Sequence, residues 1–385
     1  MIYLDHNATT PVDPAVFAEM EPWLRGDGFG NPSSGYRIGR RAAEALATAR
    51  DRVAALAGCA AKDLIFTSCG TESISTAILS CAARDPDCRK IVTSAVEHSA
   101  TVKLCEHLAM RGYEIVWIPV DGAGLLDLEA LRAAVDEETA LVSLLLANNE
   151  TGVLFPVEEV AAITSAARVP LHIDAVQGFG KVPVDAAKIG AQFLSLSGHK
   201  LYAPKGVAAL YVDPRIRFQP LLRGSQEDAR RGGTQNVASI VAFGKAAELA
   251  AAVIDTESSR QCALRNRLEA GILEGVPGSA RNGHPTLRLP NTCNLAFEGI
   301  ESEGALILLD ERGVCCSAGS ACTSGSVHPS HVLRAMGFSN DRARSSLRFS
   351  IGRTTTEADI DEALHIIPSV IEKLRSLRPA AGPVA

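Results

Sequence analysis

Apolar and polar positions along residues 14–250 follow a repeating order of strand and helix. Short apolar runs of strand length, such as 140–146 and 207–212, are separated by amphipathic, alanine-rich stretches such as 40–57 and 157–167. Strands that alternate with helices usually lie parallel in one sheet with helices on both faces. The pattern therefore predicts a doubly wound α/β domain.

The pattern changes after a polar stretch at residues 255–259. Beyond it the sequence predicts a helix over 260–274, short strands within 291–297 and 344–350, and helices over 302–312 and 357–377. A chain of 385 residues is too long for one small core, so two units are expected. We predict a large domain over 14–255 and a small α+β domain formed by 1–13 and 256–385.

Composition and charge limit the kinds of molecule that this chain is expected to bind. With 46% apolar residues, 21% charged residues and a net charge of −6, the chain is unsuited to nucleic acid or a membrane surface as its main partner. The N-terminus lacks the basic flank and apolar core of a signal peptide. The longest apolar run, 140–147, is much shorter than the roughly 20 residues that span a membrane. We expect a cytoplasmic protein with no nucleic-acid or membrane partner.

The chain has ten cysteines but no C-x-x-C pair. The closest group, Cys315, Cys316 and Cys322, lacks the spacing of a zinc site, so most of the ten are expected to be buried thiols. Cys315 and Cys316 are predicted to pack as strand residues. Cys322 differs, because it lies in a loop of small residues, 317–326, where a structural cysteine gains no burial. A nucleophilic thiol there is able to take an atom from a substrate and deliver it elsewhere.

Asp174 and Lys200 each follow an apolar strand, at 169–173 and 191–196. The carboxyl ends of parallel strands form the ligand-binding edge of open α/β sheets, so both groups point to the same edge. Pyridoxal 5'-phosphate (PLP) requires such a pair: the lysine holds its aldehyde as a Schiff base, and the aspartate keeps the pyridine nitrogen protonated. A structural salt bridge between two strand ends explains the pair equally well at this point.

Another strand-to-helix junction, residues 67–73, has the small residues that let backbone N–H groups close around an anion. Gly70 and Thr71 are the candidate phosphate contacts there, and Ser197 and His199 add donors from beside the lysine. A serine- and threonine-rich turn before a helix is also an ordinary N-cap. The junction is therefore interpreted as a phosphate site only because further donors lie next to the lysine.

Three further polar residues follow predicted strands. His98 is suited to stack on a flat cofactor and to move protons, although a capping or core histidine is the simpler interpretation of this residue alone. Asn149 and Gln177 are candidates for the phenolic oxygen of the cofactor. Four strand ends then converge on one site, which favours a PLP site over an isolated salt bridge.

Arg348 is a single charge in an apolar strand of the predicted small domain. A bidentate salt bridge to a substrate carboxylate explains this position, and a structural ion pair is the alternative. Asn31, in the run from Gly30 to Ser34, is a candidate for the same carboxylate.

Taken together, these residues make the chain resemble the cysteine desulfurases of the NifS type, in the class-V aminotransferase family of PLP enzymes with fold type I. The resemblance runs nearly end to end and rests on Leu4 to Thr10, Gly30 to Ser34, Thr67 to Ser73, Ala147 to Gly152, Asp174 to Gln177, Ser197 to Lys200, Ala203 to Gly206, Arg231 to Asn236, the Cys322 loop and Pro329 to His331. It implies a large domain with a mainly parallel seven-stranded sheet and a small α+β domain that carries the Cys322 loop.

The resemblance also implies a role for each matched residue. Lys200 would carry PLP, Asp174 would face the ring nitrogen, and His98 would stack on the ring as acid and base. The other cofactor contacts would be Gly70, Thr71, Asn149, Gln177, Ser197 and His199, with Thr234 contributed by the second subunit of a homodimer. Arg348 and Asn31 would bind the substrate carboxylate, and Cys322 would hold a persulfide.

The implied reaction converts L-cysteine to L-alanine and supplies sulfur to an iron–sulfur scaffold protein, with a role related to nitrogenase. Cys322 would then be a transient ligand of an iron–sulfur cluster shared with the scaffold. A selenocysteine lyase, an aminotransferase and a sulfur donor for tRNA thiolation remain alternatives on this fold, as does a non-enzymatic scaffold with a degenerate site. Three positions depart from the family: Ile74 replaces an acidic residue, 222–227 differs in pattern, and His6 replaces a common Asn.

Overall fold

The computed structural model describes residues 1–85, 87–318 and 329–377. The strands in these ranges are β1 (Ile2–Tyr3), β2 (Leu64–Thr67), β3 (Lys90–Ser94), β4 (Glu114–Ile118), β5 (Thr139–Leu145), β6 (Leu171–Asp174), β7 (Phe193–Ser197), β8 (Ala208–Val212), β9 (Ser279–Asn282), β10 (Thr292–Phe297), β11 (Val314–Cys315), β12 (Ser317–Ala318) and β13 (Ser346–Ser350). The α-helices are α1 (Pro14–Met20), α2 (Arg37–Ala57), α3 (Gly70–Ala82), α4 (Ser99–Ala109), α5 (Leu128–Ala134), α6 (Val157–Ala166), α7 (Ala186–Ile189), α8 (Gln226–Ala229), α9 (Val237–Gly275), α10 (Ser302–Glu311), α11 (His331–Ala335), α12 (Asn340–Arg344) and α13 (Glu357–Leu377).

The largest sheet has seven strands in the order β2-β8-β7-β6-β5-β3-β4. Every neighbouring pair is parallel except the two pairs that β8 makes. All residues of β5 are buried, as is typical of a strand with helices on both faces. The predicted α/β fold with a mainly parallel seven-stranded sheet is confirmed.

Side chains alternate between the two faces of this sheet, because successive residues of a strand point to opposite sides. Val92 and Val142 belong to the core on one face, whereas their neighbours Ile91 and Leu141 belong to the core under α3 and α4 on the other. Since β8 is antiparallel to both neighbours, the carboxyl ends of β2, β3, β5, β6 and β7 lie at the same edge. This edge collects the polar residues that follow each strand.

A smaller antiparallel sheet, in the order β12-β13-β10-β9, forms a second core with α10, α13 and the end of α9. β1 pairs in parallel with β11, and both Ile2 and Leu4 are buried in this second core. The N-terminal segment thus packs with the C-terminal part of the chain. The predicted division into domains at residue 255 stays a prediction.

Helix α9 differs from the sequence prediction, because it runs without a break through the polar stretch at 255–259. Phe243 near its start is buried in the large core, and Leu268 near its end is buried in the small core. The polar residues lie on the partly exposed stretch of α9 between the two cores. Because this stretch packs against neither core, it needs no apolar face. By length and composition α9 is also able to span a membrane, but 56% of its most apolar stretch is buried inside the protein, as in a core helix.

We expect the Gly244→Ala variant to be less stable than the wild type by about 1–3 kcal/mol, because the added methyl group overpacks the contact between α9 and α2. A Cβ at position 244 would lie 2.5 Å from Ala49 Cα and 2.7 Å from Ala49 Cβ. Gly275→Ala on the same helix is the matched control, since its Cβ would meet only Pro368 Cγ at 4.0 Å. Urea unfolding followed by circular dichroism measures both. Equal stability of the two variants would contradict this packing argument.

Candidate active site

A cavity of about 320 Å³ opens at the edge where the parallel strands end. The predicted site residues that line it are Gly70, Thr71, His98, Asn149, Asp174, Gln177, Ser197, His199, Lys200 and Arg348. These side chains come from distant parts of the sequence, and both sheets contribute. The convergence predicted from the sequence is therefore observed, although the role of each residue stays a prediction.

Asp174 is the last residue of β6, and Lys200 follows the adjacent strand β7. Lys200 Nζ donates hydrogen bonds to the carbonyls of Asn7 at 2.5 Å and Ala8 at 2.6 Å. Asp174 Oδ1 accepts a hydrogen bond from the Val176 N–H at 2.9 Å. Burial raises the pKa of Asp174, and the nearby charges of His98 and Lys200 oppose this rise. A cation that approached Asp174 would therefore stabilise its charged form.

Small residues and hydroxyl groups form the opposite end of the cavity. Gly70 is the first residue of α3, and a Cβ there would lie 3.1 Å from Val176 Cγ2, so a side chain would crowd this end. Ser197 is 1% exposed, and its hydroxyl has no hydrogen-bond partner among the described residues. Burial lowers the pKa of His199 to about 4, so its ring is neutral near pH 7. This end is built to donate hydrogen bonds to a ligand.

His98 both caps a helix and lines the cavity, so its position agrees with both interpretations that the sequence left open. It is the N-cap of α4, where its Nδ1 accepts a hydrogen bond from the Ala100 N–H at 3.2 Å, and its ring also lines the cavity. Beside it, Glu97 is fully buried and accepts hydrogen bonds from Ser94 Oγ at 2.6 Å and the Leu145 N–H at 3.2 Å. Burial raises the pKa of Glu97 to about 8, so this neighbour is mostly neutral near pH 7.

Arg348 reaches the cavity from β13 of the small sheet and is only 1% exposed. Its Nη2 donates to Asp5 Oδ1 at 2.7 Å, and its Nη1 donates to the Asn149 carbonyl at 2.9 Å. Its buried Nε has no partner in the described part of the chain. The arginine thus forms an ion pair and also keeps a donor for a further acceptor.

Two predicted site residues in the described part of the chain, Asn31 and Thr234, do not line this cavity. Asn31 and Thr234 are exposed, and the Asn31 side chain accepts a hydrogen bond from the Ser33 N–H at 2.9 Å. Thr234 was expected to act on the other subunit, which a single chain does not test. Cys322 lies outside the described residues. Cys315 and Cys316 were predicted as strand residues: Cys315 is the last residue of β11, whereas Cys316 lies between β11 and β12. Both are partly buried, and Cys316 packs against the small core.

The segment that departs from the family pattern ends in a buried carboxylate. Glu227 accepts hydrogen bonds from Arg50 Nη1 at 2.7 Å, the Phe66 N–H at 3.1 Å and Gln235 Nε2 at 2.7 Å. Glu227 and Asp228 have φ angles of 51° and 56°, which side chains with a Cβ rarely adopt. The buried bonds of Glu227 hold this strained turn in place.

Sequence reasoning missed several residues at this site. Asn7, Ala8 and Cys69 line the cavity. Asn7 and Ala8 lie in a motif that was noted only as a landmark, and Cys69 lies in the predicted phosphate junction but was not singled out. Cys69 is an exposed thiol directly before α3, at the end of the cavity where Gly70 lies. Lys181 contacts residues of the site without lining the cavity itself, and no sequence motif indicated it.

A lysine and an aspartate on adjacent strand ends, facing a cradle of hydroxyl groups and helix N–H groups, define a PLP-dependent enzyme of fold type I. Residues 2–363 match the family described as Aminotransferase class-V. The chain belongs to this family, and PLP is the cofactor of its members.

Relatives with established names cover nearly the whole chain. Cysteine desulfurase NifS of Azotobacter vinelandii is 47% identical over 388 residues, which cover 100% of this chain and 96% of the relative. Cysteine desulfurase 2 of Trichormus variabilis is 48% identical over 380 residues, 98% of this chain and 95% of the relative. A solved NifS-like protein is 34% identical, with a TM-score of 0.90 over 97% of this chain and 100% of its own.

The residues present fit PLP. The unpartnered Ser197 hydroxyl, the N-terminus of α3 and the crowded position of Gly70 suit a phosphate group. At the other end, burial raises the pKa of Asp174, and a protonated pyridine nitrogen beside it would stabilise its charged form. Lys200 between these ends would hold the aldehyde.

We expect Ser197→Ala to lower PLP affinity about tenfold or more, because a hydrogen bond to a charged phosphate is lost. The stability of the ligand-free protein should not fall, since this hydroxyl has no partner in the described protein. Ser195→Ala is the matched control on the same strand: its hydroxyl bonds His172 Nε2 at 2.8 Å, so the control should lose stability but keep its PLP affinity. PLP titration and thermal unfolding measure the two effects. Unchanged affinity of Ser197→Ala would contradict the phosphate assignment.

Proposed function

We propose that this chain is a cysteine desulfurase, which converts L-cysteine to L-alanine and keeps the sulfur as a persulfide on Cys322. The observation that carries the proposal is that the buried guanidinium of Arg348 faces the same cavity as Lys200 and Asp174. This arrangement suits an α-amino acid, whose carboxylate binds arginine while its amino group reaches the cofactor. The names of the relatives supply the identity of the amino acid.

The residues of the chain divide the work of moving protons. When bound, PLP withdraws electrons from the attached amino acid and so makes its Cα–H bond acidic. The Lys200 amine and the His98 imidazole are the groups that take and return protons, because both face the cavity and both are able to bind a proton reversibly. The carbonyls of Asn7 and Ala8 hold the amine by hydrogen bonds and stabilise its protonated form.

Sulfur transfer needs a thiolate nucleophile. The Cys322 thiolate attacks the substrate sulfur, an S–S bond forms, and the C–S bond breaks with its electron pair left on carbon. After carbon takes up a proton, the products are L-alanine and the Cys322 persulfide, so no external oxidant is required. Cys69 is the rival nucleophile, since it is exposed and lines the cavity.

We expect Cys322→Ala to keep the yellow colour of bound PLP but to form neither persulfide nor sulfide from L-cysteine. Cys69→Ser is the matched control and should retain activity. Mass spectrometry of each protein after a single turnover locates the added sulfur atom, and alanine release gives the rate. Persulfide on Cys69, or turnover by Cys322→Ala at the wild-type rate, would refute the role of Cys322.

We expect Arg348→Lys to raise the KM for L-cysteine at least about tenfold, because lysine lacks the planar pair of donors that arginine offers to a carboxylate. PLP affinity should stay unchanged. Arg334→Lys, an exposed arginine on α11, is the control and should behave as wild type. If Arg348→Lys loses stability while its KM is unaltered, Arg348 is only the structural partner of Asp5.

The physiological role follows from the same resemblance. We propose a cytoplasmic homodimer, with Thr234 completing the phosphate site of the partner subunit, that gives its persulfide to an iron–sulfur scaffold protein. The identity with NifS of Azotobacter vinelandii supports a role in nitrogen fixation. Co-purification of the native protein with its acceptor separates this role from tRNA thiolation, and selenide release measured against sulfide release separates it from selenocysteine lyase.

A further inference from the structure

Lys181 lies directly behind the cavity and touches two of the side chains that line it. Its Nζ donates to Gln177 Oε1 at 2.9 Å and to Asn7 Oδ1 at 3.1 Å. Gln177 and Asn7 line the main cavity, whereas Lys181 lines a small cavity of about 20 Å³ on the other side of Lys200. The hydrogen bonds that connect Lys181 to the main cavity therefore run through Gln177 and Asn7.

A tight turn after β6 brings Lys181 back to Gln177. The Lys181 N–H donates to the Gly178 carbonyl at 3.0 Å. Gly180 has a φ of +72°, and a Cβ there would lie 2.1 Å from Leu201 Cδ1, so both its conformation and its surroundings require glycine. The turn fixes Lys181 as firmly as the strand fixes Asp174.

The amine of Lys181 determines how the Gln177 amide is turned. An amide has a donor end and an acceptor end, and a lysine amine in its charged form only donates. It therefore binds Oε1 and leaves Nε2 on the opposite side, where Nε2 donates to the Asn7 carbonyl at 2.9 Å. The same carbonyl accepts from Lys200 Nζ at 2.5 Å. The second N–H of Gln177 is thus available beside Lys200.

The chemistry of PLP indicates which group Gln177 would face. The ring carries the aldehyde between the phenolic oxygen on one side and the phosphate arm on the other. If Lys200 holds the aldehyde and Gly70 and Ser197 bind the phosphate, Gln177 would be a donor to the phenolic oxygen.

Lys181 is also surrounded by positive groups. Burial lowers its pKa well below the usual value, and the charges of Lys200 and Arg348 lower it further. Its own charge contributes to the lowered pKa of His6 and His199, which face it from two other segments. Glu257 and Arg353 lie across the small cavity. Both hydrogen-bond acceptors of Lys181 are amide oxygens, so an anion bound nearby would favour its charged form.

We propose that Lys181 is a positioning residue for the cofactor: it turns the Gln177 amide so that an N–H faces the phenolic oxygen, and it supplies a buried positive charge behind that amide. The proposal rests on the PLP cofactor of the family and not on sulfur transfer to Cys322. An anion that binds nearby favours the charged form of Lys181, so we expect cofactor binding to raise the proton affinity of this amine.

Calorimetry of the full-length chain, stripped of cofactor, tests this coupling. The probe is 4'-deoxypyridoxine 5'-phosphate, which has the ring, the phenol and the phosphate but no aldehyde, and therefore binds without reacting with Lys200. Titration in two buffers of different ionisation enthalpy gives the number of protons taken up. The variants are Lys181→Met, Lys181→Gln and the control Lys188→Met, whose lysine is exposed and paired with Glu158 at 3.0 Å.

We expect Lys181→Met to take up fewer protons than the wild type and to bind the probe about tenfold more weakly, as for the loss of a charged hydrogen-bond donor. Lys181→Gln should recover part of the affinity, because its amide still donates to Gln177, but none of the proton uptake. Lys188→Met should match the wild type in both.

Wild-type proton uptake and affinity in both Lys181 variants would overturn the proposal. So would lowered thermal stability with unaltered binding, since that result makes Lys181 purely structural. If Lys181→Met does not fold, the number of protons that Lys181→Gln takes up on binding the probe tests the proposal instead. None of these results depends on Cys322. They would therefore stay valid if the proposed cysteine desulfurase activity were refuted.

Discussion

The buried amide of Asn7 is the interaction on which the rest of the site depends. Its carbonyl accepts from Lys200 and Gln177, and its side-chain oxygen accepts from Lys181 and Asn291. Its nitrogen atoms donate to Asn149, Thr292 and Ser350. Every hydrogen-bonding group of this one residue is therefore satisfied, by partners from both sheets. Because an unsatisfied buried polar group is costly, the two sheets and the N-terminal segment are held in one relative position.

Burial then shifts the ionisable groups around Asn7 towards their neutral forms. It raises the pKa of Asp174 and of Glu97, and it lowers the pKa of Lys181 and of His199. In the ligand-free protein, the shift towards neutral forms lowers the free-energy cost of burying these groups away from water. PLP would bring a cation near Asp174 and anionic groups near Lys181 and His199, and each would favour the charged form of its neighbour. The site is thus matched to a ligand that carries charges of both signs at fixed separations.

Much of this arrangement was predictable from the sequence, and the exceptions have physical causes. Strand ends followed by polar residues located Asp174, Lys200 and His98, because parallel strands place such residues at one edge whatever their distance along the chain. The unbroken helix α9 was not predicted, since a polar stretch on an exposed helix looks like a connection. Asn7 and Lys181 were missed for another reason: neither lies directly at the end of a strand of the large sheet. Their importance arises only when a turn or a terminal segment is folded against the site.

The small sheet contributes a charged side chain, Arg348, to this cavity. Arg348 is bound to Asp5, and the second carboxylate oxygen of Asp5 accepts a hydrogen bond from Ser317 Oγ at 3.0 Å. Ser317 is the first residue of β12, which precedes Cys322 in the chain. One carboxylate therefore links the proposed substrate-binding arginine to this strand. If a substrate carboxylate displaced Asp5 from the guanidinium of Arg348, the partner of Ser317 would change its contacts as well. Under the proposed function, recognition of the substrate and the position of β12 would be coupled through Asp5.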